Sequence, residues 1–89
     1  MKGKRETLEL IHDILLVVQK GKVKRTHVMY KANLSPKMLD SYLKDLIERE
    51  LVIEHSSERN KTYSLAEKGF KYLQEYKVIV DFVDSFGLE

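Results

Sequence analysis

A short interruption between two helical stretches constrains the fold of this 89-residue chain more than any other feature. It lies in the segment KANLSPKML, residues 31–39. Asn33 tolerates the left-handed conformation that closes a helix, and Leu34 is the one apolar residue of the turn, so we expect it to point inward. Ser35 can cap a following helix, and Pro36 suits the first helical position because its missing N–H would have no partner there. The segment therefore predicts two helices joined by a tight turn.

The N-terminal part of the chain predicts two further elements before this turn. Residues 4–20 predict a first helix, because their apolar side chains recur at three- and four-residue spacing, and Gly21 is expected to end it. Residues 22–25 then predict a short extended link or a minor strand. Thr26 is expected to cap the second helix, over residues 27–32, with its side chain.

The C-terminal part predicts a helix, a hairpin and a last helix. The third helix is expected over residues 36–50, because its leucines cluster on one side of a helical projection. Residues 51–55 and 62–65 alternate in polarity and flank a polar turn, so they predict a two-stranded hairpin. A last helix is expected over residues 66–86. Gly69 weakens it slightly and suggests close packing near its start.

The order of these elements indicates the fold class. A helix-turn-helix followed by a two-stranded hairpin is the winged-helix arrangement. The expected fold is mainly α with a small β-hairpin (α+β) and a long C-terminal helix. We expect residues 1–65 to form a winged helix-turn-helix DNA-binding domain and residues 66–89 to form a dimerisation helix continuous with it. Fold alone does not dictate function, so the argument for function needs the side chains.

The formal net charge of +2 is unevenly distributed along the chain. Residues 1–37 hold nine Lys or Arg and three Asp or Glu, whereas residues 38–89 hold seven and eleven. Between Lys20 and Lys37, both included, there are six positive charges and no acid. Such asymmetry is typical of a face that binds a polyanion, although an ordinary solvated surface has the same composition.

Two stretches of the sequence resemble a known family. THVMYKANLSPKMLDSYLKDLIERELV followed by YSLAEKGFKYL is similar to the small archaeal winged-helix transcriptional regulators, from about Thr26 to Leu73. MYKANLS, YLKDLIERELV and YSLAEKG are the most specific parts. Many members have Thr or Ser before EKG, whereas Ala66 stands here, so a side-chain cap is not expected. The resemblance implies DNA binding, with the third helix in the major groove and the wing on the backbone, and a homodimer formed by an antiparallel coiled coil of C-terminal helices.

The residues of the predicted DNA-binding face follow from this geometry. A helix in the major groove reads base edges with the outward side chains of its first turns, and its N-terminus also attracts phosphate. Bases beside the second helix and at the wing tip are expected on the phosphates. The predicted DNA-binding set is Lys22, Lys24, Arg25, Lys31, Ser35, Pro36, Lys37, Asp40, Ser41, Lys44, Arg59 and Lys61.

The acids of the third helix leave a second interpretation open. Residues 35–50 contain three bases and four acids. Asp40 lies in the first turns of the helix, where it would select cytosine, orient a lysine or repel DNA, and the sequence does not decide among these roles. A winged-helix module that binds another protein through the same face, without direct DNA binding, is therefore the alternative.

The last helix has more apolar residues than a single small domain is expected to cover. They recur at three- and four-residue spacing, close to a heptad seam, and each contributes roughly 1.5–3 kcal/mol when fully buried. Either the helix folds back on the first helix of its own chain or a second copy covers it, and we adopt the homodimer. The predicted interface comprises Leu73, Tyr76, Ile79, Val80, Phe82, Val83 and Phe86.

Other function classes have no motif in the sequence. Cysteine is absent and His12, His27 and His55 are far apart, so no metal site is expected. The five tyrosines are assigned to the core or an interface rather than to base stacking. No phosphate loop or nucleophile motif appears, so we expect no enzyme, no cofactor and no small-molecule ligand. No apolar run approaches the roughly 18 residues of a membrane span, and the expected location is the cytoplasm, on the chromosome.

Overall fold

The computed structural model describes the backbone of residues 2–87 and the side chains of residues 7–87. Met1 lies outside the described residues, as do Leu88 and Glu89 at the end of the expected segment 66–89. The elements are α1 (Lys2–Val18), β1 (Val23–Lys24), α2 (Arg25–Ala32), α3 (Pro36–Glu48), β2 (Val52–Ser56), β3 (Lys61–Leu65) and α4 (Glu67–Ser85). The predicted fold class, mainly α with a winged helix-turn-helix and a long last helix, is confirmed.

The turn between α2 and α3 has the predicted construction. Asn33 is left-handed at φ 56°, and the N–H of Leu34 donates to the carbonyl oxygen of Met29 at 3.0 Å. This bond satisfies a carbonyl at the end of α2 that has no partner within the helix. The Ser35 hydroxyl then accepts a hydrogen bond from the N–H of Met38 at 3.2 Å. The turn fixes where α3 begins and in which direction it points.

The wing is anchored by a third strand. The sheet is antiparallel in the order β1-β3-β2, with β2 and β3 forming the predicted hairpin. β1 pairs with the other side of β3, with Val23 opposite Tyr63 and Lys24 opposite Thr62. The link-or-strand alternative at residues 22–25 is thus resolved as a strand, which holds the base of the wing against the segment that leads into α2.

A single apolar core lies between the helices and the sheet. Its side chains come from α1, α2, α3, the turn and the two hairpin strands, and Leu34 is buried as expected. The buried set is Ile14, Leu15, Val18, Val28, Ala32, Leu34, Leu39, Leu43, Leu46, Val52, Tyr63 and Leu65. The core therefore locks α3 and the wing together, which gives their exposed faces a fixed relative orientation.

Some expected helix ends are wrong by a residue or two. α1 ends at Val18, and Gly21 follows it with a φ of 130°. The expectation that Thr26 caps α2 is wrong. The helix begins at Arg25, with Lys24 in the cap position and no side-chain bond to the free amides, because the strand pairing of Lys24 leads straight into the helix.

The end of α3 also differs from the prediction. The helix stops at Glu48, and Glu50 is left-handed at φ 66°. The N–H of Leu51 donates to the carbonyl oxygen of Leu46 at 2.9 Å, the same type of closure that Asn33 makes on α2. Glutamate is not a usual residue at the left-handed end of a helix, so the sequence did not indicate that Glu50 would close α3.

The start of α4 packs closely against the hairpin. Ala66 occupies its cap position without a side-chain bond, as expected. Gly69 is buried, and a Cβ atom built there would lie 2.5 Å from the carbonyl oxygen of Leu51 and would also collide with Leu65. The suggestion of close packing at Gly69 is therefore confirmed.

Candidate nucleic-acid interface

The outward side of α3 carries the polar residues that the sequence assigned to base contacts. Lys37, Asp40, Ser41 and Lys44 are all exposed, opposite the three buried leucines of the helix. The three-residue and four-residue spacings place them on one side, because neighbouring positions on a helix surface lie three or four residues apart. This side of α3 can donate hydrogen bonds through two ammonium groups and one hydroxyl.

Asp40 is engaged by Arg25 from the start of α2. The Nε and Nη2 atoms of Arg25 donate to Asp40 Oδ1 at 2.9 and 2.8 Å, and Nη2 also donates to the Pro36 carbonyl oxygen at 3.2 Å. Both side chains are accessible, so the ion pair adds little to stability. The pair connects the starts of α2 and α3. It also engages Arg25, which is one of the cations predicted to contact DNA. The sequence could not indicate this pairing, because 15 positions separate the two residues.

Four of the predicted cations meet in one cleft between the wing and the start of α2. We call it the basic cleft. It has a volume of about 240 Å³ and is lined by Lys24, Arg25, Thr26, Arg59, Asn60, Lys61 and Tyr63. No acid lines it. The cleft adjoins the outward side of α3 through the Arg25–Asp40 pair, so cations from four segments and the start of α3 form one continuous surface.

The cations of the basic cleft differ in their availability. Arg25 is paired with Asp40, and Lys61 Nζ lies 3.3 Å from Glu54 Oε2. Lys24 and Arg59 form no ion pair within the described part of the chain, and both are exposed. These two side chains can therefore contact an incoming anion without first breaking a contact within the protein.

The wing tip is a tight turn that presents Arg59. The Ser57 hydroxyl donates to the Asn60 carbonyl oxygen at 3.1 Å and accepts from the Asn60 N–H at 3.3 Å. At the floor of the cleft, burial raises the pKa of the Tyr63 phenol, and the nearby Glu54 carboxylate raises it further. Tyr63 therefore stays neutral at physiological pH and does not cancel the positive charge of the cleft.

The remaining predicted residues lie beside this surface. Lys31 is exposed on α2, and Lys22 lines a second depression next to Tyr30. The Ser35 hydroxyl and the Pro36 carbonyl already have partners within the chain, Met38 and Arg25. They shape the start of α3. The sequence missed Thr26 and Asn60 as lining residues, because neither is charged and only the fold brings them into the cleft.

The predicted dimer residues divide into two groups along α4. Leu73 packs against the core, and the ring of Tyr76 stacks on His12 of α1 with centroids 4.1 Å apart. Both therefore have contacts within their own chain. Further along, Ile79, Phe82 and Phe86 are 61%, 57% and 64% exposed.

An apolar groove runs between α1 and the second half of α4. It has a volume of about 230 Å³ and is lined mainly by Leu8, Tyr76, Ile79, Val80 and Val83, with Glu9 and Asp84 at its edges. Beside it, the rings of Phe82 and Phe86 contact each other at 4.8 Å between centroids. This surface is apolar and continuous.

The described residues lack two further features, a membrane-spanning helix and a metal-binding cluster. None of their helices is long and apolar enough to cross a membrane. The same residues contain no group of three or more His, Cys, Asp or Glu side chains arranged to hold a metal ion.

The chain belongs to the winged helix-turn-helix family, whose model matches residues 4–83. Among curated protein sequences, none matches the chain with statistical significance. The family assignment agrees with the element order and with the position of the wing beside α3.

Solved structures show the same fold at low sequence identity. Sso10a-2, a DNA-binding protein from Sulfolobus solfataricus, is 21% identical with a TM-score of 0.76, over 90% of this chain and 83% of that one. Lactococcus lactis ZitR, a zinc-responsive MarR family member, is 22% identical with a TM-score of 0.68, over 89% of this chain and 57% of its own. MepR, a transcription regulator of the Staphylococcus aureus multidrug efflux pump MepA, is 15% identical with a TM-score of 0.77, over 93% and 62%. The chain thus spans less than two thirds of ZitR and MepR.

Proposed function

We propose that this protein is a homodimeric winged-helix transcriptional regulator that binds double-stranded DNA. The observation that carries the proposal is the basic cleft, where cations from β1, α2, the wing turn and β3 meet beside the start of α3. Neighbouring proteins of the same fold support it. Sso10a-2 is described as a DNA-binding protein, MepR as a transcription regulator, and a MepR mutant was solved with a bound oligodeoxyribonucleotide.

The expected complex has α3 in the major groove. Lys37 and Lys44 then donate to guanine acceptors or to phosphates, and Ser41 contacts either. With α3 inserted, the wing lies over the adjacent backbone, so Arg59 and Lys24 meet phosphates. Asp40 remains paired with Arg25. Its carboxylate therefore enters the groove with its negative charge neutralised.

Binding of this kind is expected to depend steeply on salt. Six exposed cations, Lys22, Lys24, Lys31, Lys37, Lys44 and Arg59, form no ion pair within the described part of the chain. Each phosphate contact releases bound counterions, so the slope of log K against log salt changes by about −0.9 per contact. Six contacts per protomer give a slope of roughly −5.

The homodimer rests on the second half of α4. Its exposed stripe of Ile79, Phe82 and Phe86 recurs at three- and four-residue spacing, as in a helix that pairs with another helix. A second copy presents the same stripe, so a two-fold axis allows both to be covered at once. Two-fold symmetry also presents two α3 helices and two wings to one duplex.

A gel-shift salt series with matched charge reversals tests the DNA-binding proposal. Lys24→Glu combined with Arg59→Glu is expected to weaken duplex binding by 100-fold or more, on the order of 1.5 kcal/mol per lost charged contact, and to flatten the salt slope. The control is Lys68→Glu combined with Lys71→Glu, two exposed lysines of α4 outside the cleft. This control is expected to retain nearly all of the affinity.

Asp40→Asn provides a second arm of the same experiment. The substitution releases Arg25 for a phosphate, so the slope is expected to steepen by about one contact and affinity at low salt to rise. If the wild type binds no duplex at low salt, or if the cleft reversal behaves like its control, DNA binding through this face is wrong. The protein-interaction module then becomes the better interpretation.

A further inference from the structure

Tyr30 is an aromatic side chain that the fold leaves in solvent. It is 89% exposed, so of the two places to which the sequence assigned it, the core or an interface, the core is excluded. It lies five positions after Arg25, so at about 100° per residue it points roughly 140° away from it around α2. Arg25 marks the side of α2 that meets α3. Tyr30 therefore faces a different direction from the surface proposed for the duplex.

The surroundings of Tyr30 are basic. Lys22, Val23, Lys24, Thr26, His27 and Tyr30 line an open depression of about 540 Å³, which we call the Tyr30 surface. No acid lines it, and the whole segment from Lys20 to Lys37 contains none. Lys22 and Lys24 form no ion pair among the described residues. The charge of this surface therefore complements a polyanion, and the exposed ring of Tyr30, with the imidazole of His27 beside it, complements an aromatic group.

We propose that the Tyr30 surface binds a single-stranded nucleic-acid segment, with one base stacked on Tyr30 and neighbouring phosphates on Lys22 and Lys24. An exposed aromatic ring beside a basic groove is the combination that single-strand binding uses, because every unpaired base has a free face to stack. In a duplex those faces are already stacked on each other.

The site goes beyond the proposed duplex binding because it adds the ring of Tyr30, and it shares Lys22 with the cations that are expected to contact duplex phosphates. The Tyr30 surface shares Lys24 and Thr26 with the basic cleft, so the two surfaces meet at an edge. A single strand that continues from a duplex end or a melted region reaches Tyr30 without leaving the protein. The chemistry required is a nucleotide chain with unpaired bases, of either sugar.

Fluorescence anisotropy at low salt tests the proposal. The probes are labelled ten-nucleotide oligomers of deoxythymidine and of uridine, and a labelled DNA duplex of about 20 base pairs, long enough for both α3 helices of a dimer. Tyr30→Leu keeps apolar bulk but removes the flat ring, so it is expected to weaken single-strand binding by about 5- to 150-fold. Tyr30→Phe keeps the ring and is expected to stay within about twofold of the wild type, since stacking does not need the hydroxyl.

A charge variant and two controls complete the experiment. Lys22→Gln is expected to weaken single-strand binding and to reduce its salt slope by about 0.7. Lys71→Gln, an exposed lysine of α4, is expected to change neither. Thermal melting checks that each variant is folded, and no change is expected at a position as exposed as Tyr30. Binding of either the deoxythymidine or the uridine oligomer supports the site and shows which sugar it accepts.

Three results would overturn the proposal. The wild type binds neither oligomer, or Tyr30→Leu binds them as tightly as the wild type does. In the third case Tyr30→Leu weakens duplex and single-strand binding equally, which would assign Tyr30 to the duplex face. A wild-type protein that binds the oligomers but not the duplex would contradict the proposed regulator function. It would still support the single-strand site.

Discussion

The two halves of α4 have similar apolar patterns and opposite environments. In the first half Gly69 is buried, Leu73 packs on the core and Tyr76 stacks on His12 of α1. In the second half Ile79 and Phe82 are mostly exposed, although they continue the same spacing. The chain thus covers the first half more completely than the second, although Phe70 in the first half is 48% exposed and Val83 in the second is half-buried. A heptad-like repeat indicates that a helix will be covered, but it does not say by which chain.

This comparison bears on the two interpretations of α4. The alternative that the helix folds back on α1 agrees with the contacts between the two helices, among them the stacking of Tyr76 on His12. The proposed dimer concerns the second half, where the apolar side chains have little of their own chain to cover them. Three tests, ordered from the largest expected effect to the smallest, examine this division.

The largest effect is expected from a charge on the exposed half. Ile79→Asp or Phe82→Asp is expected to raise the dimer dissociation constant by about 100-fold or more, roughly 3 kcal/mol, because symmetry buries two carboxylates in an apolar contact. Light scattering should give about twice 10.5 kDa for the wild type and the mass of one chain for either variant. Circular dichroism is expected to show unchanged helix content.

Gln74→Asp is the matched control, because it adds the same charge at an exposed position of α4 near its packed half. It should leave the mass unchanged. A wild-type protein that is monomeric at tens of micromolar, or an Ile79→Asp protein that remains dimeric, would contradict the assignment of this half to a second copy.

A methyl group at Gly69 tests the packed half. Gly69→Ala is expected to destabilise the fold by about 2 kcal/mol, since overpacking against a backbone carbonyl outweighs the roughly 1 kcal/mol gain in helix propensity. Thermal melting should show a fall of about 8–16 °C for a domain of this size. Gln74→Ala, which changes helix propensity at an exposed site, is the control and should melt at or above the wild-type temperature. An unchanged melting temperature for Gly69→Ala would show that Leu51 and Leu65 can move aside.

The smallest effect is expected from removing one hydroxyl. The Tyr72 hydroxyl is buried and has no hydrogen-bond partner among the described residues. Tyr72→Phe is therefore expected to stabilise the fold by about 1 kcal/mol, because an unpaired buried polar group is unfavourable. Tyr63→Phe is a comparison at another buried tyrosine. A lower melting temperature for Tyr72→Phe would show that the hydroxyl does have a partner.

The pH dependence of the same variant has a defined sign. Burial raises the pKa of the Tyr72 phenol above its ordinary value of 10.0, with a further contribution from Tyr76. The unfolded chain therefore loses this proton at a lower pH than the folded protein does. Stability is retained below pH 10 and falls as the pH rises through the folded-state pKa. Tyr72→Phe lacks this loss, so its advantage over the wild type is expected to grow above pH 10.

Much of the fold could be predicted from the sequence because local interactions determine it. Asn33 and Ser35 form the turn between α2 and α3 through bonds to residues three to five positions away, so their chemistry shows in the sequence. The failed cap at Thr26 has a tertiary cause. The pairing of β1 with β3 carries the chain into α2 two residues earlier than local preference indicates.

The candidate site was less predictable, and for a related reason. The sequence picked out the cations, but not which of them would be engaged. Arg25 and Asp40 were both assigned to DNA contacts and prove to hold each other. The exposure of Tyr30 also depends on which side of α2 the core takes, and an eight-residue helix with few apolar positions indicates that poorly.

The sequence by itself determined the order of elements, the turn that aims α3 and the concentration of positive charge before residue 38. These follow from helix capping, apolar periodicity and composition, which act over a few neighbouring residues. Only the tertiary structure decided that β1 and the wing turn enclose a basic cleft, that Asp40 neutralises Arg25, and that α4 is covered along half its length. Those features depend on which distant segments the shared core brings into contact, and no local pattern encodes that.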